Sequence, residues 1–241
     1  GKSSFTDELL CRFLRDEPIA RFAVISIDPS KKKTGGALLG DRIRMNSAAS
    51  ERVFMRSMAT RQSGTELSAA IDEALVVARA AGFDVIFVET SGIGQAQGAI
   101  VEKVDASIYV MTPEYGAASQ LEKIDMIDFA DVIVINKYDR GNAEDALRDV
   151  RKQYRRSRAI GPEVAPESLP VFGTISSHYN DAGVNAVYAH LRGKIAGLRT
   201  GAGADPAAGR SLSAPPHAVI PHERRHYLGE IAGTIRRHIL W

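Results

Sequence analysis

The sequence holds a single cysteine, Cys11, among its 241 residues. That excludes an internal disulfide framework and a thiolate metal cluster, and it suits a reducing compartment. No apolar run approaches the ~20 residues that span a bilayer, and the opening Gly-Lys-Ser-Ser is unlike a secretory signal. Charge bias is missing as well: 31 basic against 29 acidic residues leave a formal +2, so no general attraction to nucleic acid or membrane is expected. There is no His- or Cys-rich tract, and five of the six histidines lie beyond residue 189. The remainder, 44% hydrophobic and 25% charged, is ordinary for a cytoplasmic globular protein and suffices for one large domain with extras.

Five segments read as buried parallel strands: Phe22–Asp28, Phe83–Thr90, Ala106–Thr112, Asp131–Lys137 and Pro170–Ser176. Each is rich in β-branched or aromatic residues without clear alternation, as in strands covered on both faces. Helical spacing separates them, over Ser4–Leu14, Thr65–Ala81 (Leu67, Ile71, Leu75 and Val76 on one stripe), Ser119–Phe129, Ala143–Arg155 and Asn185–Leu198. Strands alternating with helices predict an α/β fold with a mostly parallel sheet and helices on both faces. Residues 1–198 make the domain. Residues 199–222 form a Pro/Gly/Ala-rich linker, and 223–241 regain helical spacing through Tyr227, Ile231, Ile235 and Ile239. One apolar stripe cannot fold alone, so that helix is expected to pack on something.

The chemistry-bearing residues cluster at predicted strand and helix ends. Gly1-Lys2-Ser3 matches the end of the phosphate-binding loop G-x-x-x-x-G-K-[ST], a P-loop NTPase signature. There backbone N–H groups and the lysine hold phosphates, and the hydroxyl ligates magnesium. Alone, the string fits an ordinary helix start equally well. If it is a P-loop end, the strand before it is missing and the sheet lacks its N-terminal, central strand. Asn136-Lys137-Tyr138-Asp139 follows an apolar strand, as N-K-x-D does in GTPases. An aspartate there accepts from guanine N1–H and its 2-amino group; with adenine the carboxylate stays unpaired, at a cost of roughly 2–3 kcal/mol. Thr174–Ser177 ends another strand and is either a base-contacting loop, with Ser176, or a plain turn.

Glu89-Thr90-Ser91-Gly92-Ile93-Gly94-Gln95 has the layout of D-x-x-G with glutamate for aspartate. The acid supports hydrated magnesium, and the glycine N–H groups suit a switch that senses the γ-phosphate. Asp28 ends the first of the five expected strands, Asp41 follows a glycine-bearing loop, and Arg44 could bind phosphate. Both acids fit Mg²⁺, which takes hard oxygen donors, or simple turn and cap positions.

In this order the motifs resemble the MeaB/ArgK group of G-protein chaperones for adenosylcobalamin-dependent acyl-CoA mutases, with the nearest likeness among G-domains fused to their mutase. The strings that carry it are GKSSFTDELL, AVISIDPSKKKTGGALLGDRIRMN, RVFMRSMATR, VETSGIGQ, YVMTPEYGAASQLEKIDMIDFAD and INKYD, over roughly residues 1–195. PHERRHYLGEIAGTIR resembles the helical linker to the mutase. The resemblance implies Lys2 and Ser4, with Gly1, on phosphate, and Ser3 on magnesium. Asp28, Asp41 and Glu89 become metal-site residues, joined by the backbone of Ile27 and Thr90 at a second Mg²⁺. It implies Arg44 on the nucleotide, and Asn136, Lys137 and Asp139 as the guanine clamp. Lys2 and Glu89 are its catalytic pair. Gly92, Gly94 and Gln95 form one switch, and Gly116–Lys123, with Gln120 and Lys123, another that relays nucleotide state.

The implied cofactors are Mg²⁺ and GTP/GDP, with adenosylcobalamin only through the mutase. The implied partner is that acyl-CoA mutase, fused or separate, in a dimeric full-length protein. Two departures stand: Gln95 lies three residues past Gly92, and no D-x-H-x-x-G cobalamin motif occurs. A GTP-hydrolysing chaperone domain that gates cofactor loading is the leading reading. A metal-insertion GTPase, a nucleotide-dependent kinase and a non-catalytic interaction fragment are the others.

Overall fold

A computed structural model describes residues 1–29, 45–60, 70–90, 98–116, 121, 124 and 126–195, all within one unit, Gly1–Arg210. The expected linker and terminal helix, 199–241, lie outside the described residues.

Helix α1 spans Lys2–Asp16, longer at both ends than its apolar spacing predicts. Phe5, Leu9, Leu10 and Phe13 repeat at helical intervals and are buried, the stripe an amphipathic helix turns to a core. Its C-terminal end is closed by Arg52, whose guanidinium donates to the carbonyls of Leu14, Glu17 and Ala20 at 2.7, 2.7 and 3.3 Å. These orphan acceptors would otherwise need water.

All five expected strands form, each trimmed or extended by a residue or two: β1 Phe22–Pro29, β3 Val85–Thr90, β4 Ile108–Met111, β5 Val132–Asn136 and β6 Val171–Thr174. A sixth, β2 over Val53–Thr60, was not expected. Its polar Arg56, Ser57 and Thr60 hide it from a search for apolar runs. It lies at a sheet edge, where polar residues are tolerated. Every ladder is parallel, in two three-stranded sheets ordered β2-β1-β3 and β4-β5-β6.

Coverage on both faces, expected of every strand, holds for β5 but not for β3, which is half-exposed along its whole length. The cause is pairing: among the described residues, β3 bonds only to β1 and β4 only to β5, so each has one edge with no described strand beside it.

The later helices are α2 Ile71–Ala80, α3 Gly98–Val101, α4 Met126–Phe129, α5 Ala143–Ser157 and α6 Ala182–Lys194. In α2 the stripe is corrected: Ile71 and Leu75 are buried against Ile25 and Ile27, but Val76 is 63% exposed. The cluster beneath α2 is completed by Met58, Ile86 and Val88 of the flanking strands, and Leu67 is outside the described residues. Of the helix expected over Ser119–Phe129, the described residues hold the helical Leu121 and the single turn of α4. Helix α6 starts earlier than predicted because Asp181 caps it, accepting from the Val184 N–H at 2.9 Å.

Alternating residues of the strands divide the core. Phe22, Val24, Val132 and Val134 face α1 and α6 in a cluster with Phe5, Leu9, Phe13, Val187 and Tyr188. On the other side, Ile25 and Ile27 meet α2, while Ile133, Ile135 and Val171 meet α5. Both sheets are thus covered on one face by α1 and α6, which places the start of α1 beside the C-terminal ends of β3 and β5.

Candidate nucleotide and metal site

In an open parallel sheet, ligands sit beyond the carboxyl ends of the strands. The start of α1 gathers the predicted residues there. Lys2 Nζ donates to the Thr90 carbonyl at 2.8 Å, and Ser3 Oγ donates to Glu89 Oε1 at 2.9 Å. Glu89 and Thr90 end β3 and stand in register with Ser26 and Ile27 of β1, one residue short of Asp28. Ser4 is exposed in the first turn of α1, and a helix start of this kind suits an anion.

On the other side, Asn136 ends β5 and is 3% exposed. Its amide donates to the Gly1 carbonyl at 3.2 Å. Its oxygen takes the Lys137 N–H at 2.9 Å, the Ser176 N–H and hydroxyl at 3.1 and 3.0 Å, and the Thr174 hydroxyl at 3.3 Å. Asn136 therefore ties three chain segments together. Lys137 adopts a left-handed backbone (φ 63°), which turns the chain sharply at the strand end. Tyr138 then lies on Gly173, where an added Cβ would fall 2.5 Å from its ring. Burial raises the Tyr138 phenol above its ordinary value, with Glu144 adding to this and Arg151 opposing it. Asp139 is exposed at the following turn, and Arg140 pairs with Glu114 beyond β4.

The structure thus brings together Gly1, Lys2, Ser3, Glu89 and Thr90 at one end, and Asn136, Lys137, Asp139 and Ser176 at the other, linked through Gly1. Ile27 is buried beside Thr90. Asp41, Arg44, Gly92, Gly94, Gln95, Gln120 and Lys123 lie outside the described residues, as does the side chain of Asp28. No three His, Cys, Asp or Glu residues converge as a metal cluster among the described residues. Two residues of this site carry weight that the motifs did not give them. Thr174 closes on Asn136. Ser26, two residues before Asp28 in sequence, shares the strand face of Phe22 and Val24, toward α1.

A helix-start lysine and hydroxyl beside a strand-end acid, together with an N-K-x-D turn, define a P-loop-type GTPase domain. The comparisons agree. The family described as "Methylmalonyl Co-A mutase-associated GTPase MeaB" matches residues 1–201, and the chain belongs to it. It is 54% identical to a fused isobutyryl-CoA mutase of Geobacillus kaustophilus and 55% to one of Paraburkholderia xenovorans, each over 98% of this chain. It spans 22% and 19% of their lengths, about a fifth. A crystal structure of an LAO/AO transport system kinase superposes with TM-score 0.56 at 25% identity, covering 80% of this chain and 55% of that one. HypB from Helicobacter pylori in complex with nickel gives 0.55 over 85% and 86%. At 16% identity it shares the fold alone.

Proposed function

We propose that this chain is the GTP-hydrolysing chaperone domain of an adenosylcobalamin-dependent acyl-CoA mutase of the isobutyryl-CoA type, and that it gates loading of the mutase cofactor. The observation that carries this reading is that one helix start serves both ends of a nucleotide. Lys2 and Ser3 meet Glu89 and Thr90 while Gly1 meets Asn136. Lys2 holds the phosphates, and Asp139 accepts from the guanine edge. Asn136 keeps the base-reading turn in register with the phosphate end.

Magnesium fits the donor set, because the Ser3 hydroxyl and Glu89 carboxylate are hard oxygens already in contact. Asp28 and Asp41 would complete it, with the backbone of Ile27 and Thr90 at a second ion. When bound, the ion neutralises charge on the transferring phosphoryl group. Lys2 adds positive charge at the same place, where preorganised donors are worth most. The segments with Gly92, Gly94, Gln95, Gln120 and Lys123 would report nucleotide state to the mutase, in a cytoplasmic, dimeric full-length protein.

Calorimetry with GTP and ATP in the presence of Mg²⁺ tests this on the full-length protein. Binding of GTP with at least ~100-fold preference over ATP is expected, from the hydrogen bonds that adenine cannot make. A protein that binds neither nucleotide leaves an interaction module in place of a GTPase.

A further inference from the structure

Ser26 sits in the middle of the site's floor with nothing to bond. Its side chain is 1% exposed and its hydroxyl has no hydrogen-bond partner. Burying a hydroxyl unsatisfied is unfavourable, and native proteins rarely accept it without a use for the group. Its neighbours on the same strand face, Phe22 and Val24, are apolar and pack under α1, so alanine or valine would suit the core here. The register explains the serine: Ser26 pairs with Glu89 across β1 and β3, and Glu89 accepts from Ser3 at the start of α1. The unused hydroxyl therefore lies on the face, and at the level, of the two oxygen donors that fit a divalent ion.

We infer that Ser26 is a positioning residue of the metal–phosphate site, donating its hydrogen bond to a water carried by the divalent ion at Ser3 and Glu89. This rests on the nucleotide reading above. Once the ion and its water are in place, the penalty at Ser26 becomes an attraction, so the empty protein is strained at the one spot that loading relieves. The inference gives opposite signs for one substitution: S26A should help the empty protein and hurt the loaded one.

The experiment uses the full-length protein with GDP and Mn²⁺, an ion visible by electron paramagnetic resonance. S26A should weaken Mn²⁺ binding to the GDP complex about three- to tenfold, the worth of one hydrogen bond. GDP affinity without metal should stay unchanged. The melting temperature of the nucleotide-free protein should stay level or rise. S26T, which keeps the hydroxyl, should retain Mn²⁺ affinity closer to the wild type than S26A does. Unchanged Mn²⁺ affinity in S26A, or a lower melting temperature without ligand, overturns the inference. A wild-type protein that binds no GDP overturns the nucleotide reading and this inference with it. Normal GDP binding with S26A indistinguishable from wild type overturns this inference alone.

Discussion

At the end of the second sheet, Asn136 is buried and its amide is bonded to Gly1, Lys137, Thr174 and Ser176. At the end of the first, Lys2 and Ser3 bond to Thr90 and Glu89, groups that a nucleotide and its metal would themselves engage. The Asn136 end is thus assembled by the protein for its own stability. The Lys2 end is held by contacts between groups that the proposed nucleotide and its metal would take over. Strand burial runs the same way: β5 is buried throughout, and β3 is half-exposed along its length. A buried polar group with every partner in place rigidifies its surroundings, whereas groups that pair with one another can be released at low net cost. Damage at the two ends should therefore differ in kind.

The largest effect is expected from Lys2→Ala. Removing a preorganised cation from the phosphate should lower the GTP turnover of the full-length protein by roughly 10²–10³-fold. Folding should lose only about 1 kcal/mol, the net worth of an ordinary hydrogen bond such as that to Thr90. Single-turnover hydrolysis beside urea unfolding measures both. If unfolding falls by several kcal/mol, the phosphate end is as structural as the base end, and the contrast between them fails.

Asn136→Ala should behave in the opposite way. The substitution removes one donor from the Gly1 carbonyl and takes the acceptor from the Lys137 and Ser176 N–H groups and two hydroxyls, several of them buried. A folding loss of roughly 2–4 kcal/mol is expected, together with weakened guanine binding. Asn136→Ala with wild-type unfolding and lost nucleotide binding would move Asn136 to the same kind as Lys2.

Much of this site was legible because parallel α/β folds put function at strand ends, where Lys2, Ser3, Glu89, Asn136 and Asp139 all stand. The strands with dense β-branched runs were legible for the same local reason. What escaped depends on partners distant in sequence. Val53–Thr60 looks too polar for a buried strand until β1 is known to cover one of its edges. Asn136 reads as a nucleotide ligand, and nothing local shows that residues 1, 174 and 176 converge on its amide. Val76 fits a helical stripe on paper, yet α2 turns Ile71 and Leu75, not Val76, to the cluster around Ile25 and Ile27. Ser26 was readable in principle, since it is the one polar residue between Phe22 and Ile27 in an otherwise apolar run.

The smallest effect sharpens the comparison through pH, at the far end of the second sheet. His190 of α6 packs on Phe172 with ring centroids 5.7 Å apart. Burial and the nearby Lys194 lower its pKa from an ordinary 6.5, with Asp131 opposing them. At Asp131 burial works to raise the value, yet hydrogen bonds from the Ser107 hydroxyl and N–H leave it below the ordinary 3.8. The signs agree. Unfolded His190 takes a proton near pH 6.5 that the folded protein resists, so stability falls as pH drops below that value until the lowered folded value is passed. Asp131 contributes above about 3.8, and its contribution is lost as pH falls further. Hydrogen exchange between pH 7 and 5, corrected for intrinsic rates, should show β6 and the C-terminal turns of α6 losing protection. The loss should be roughly twofold, discounted because His190 is only about half buried. His190→Gln should flatten that slope and leave β1 and β2 untouched. An equal loss across both sheets would mean that acid acts on the domain as one cooperative unit, and that the difference between the sheets is confined to their ligand-binding ends.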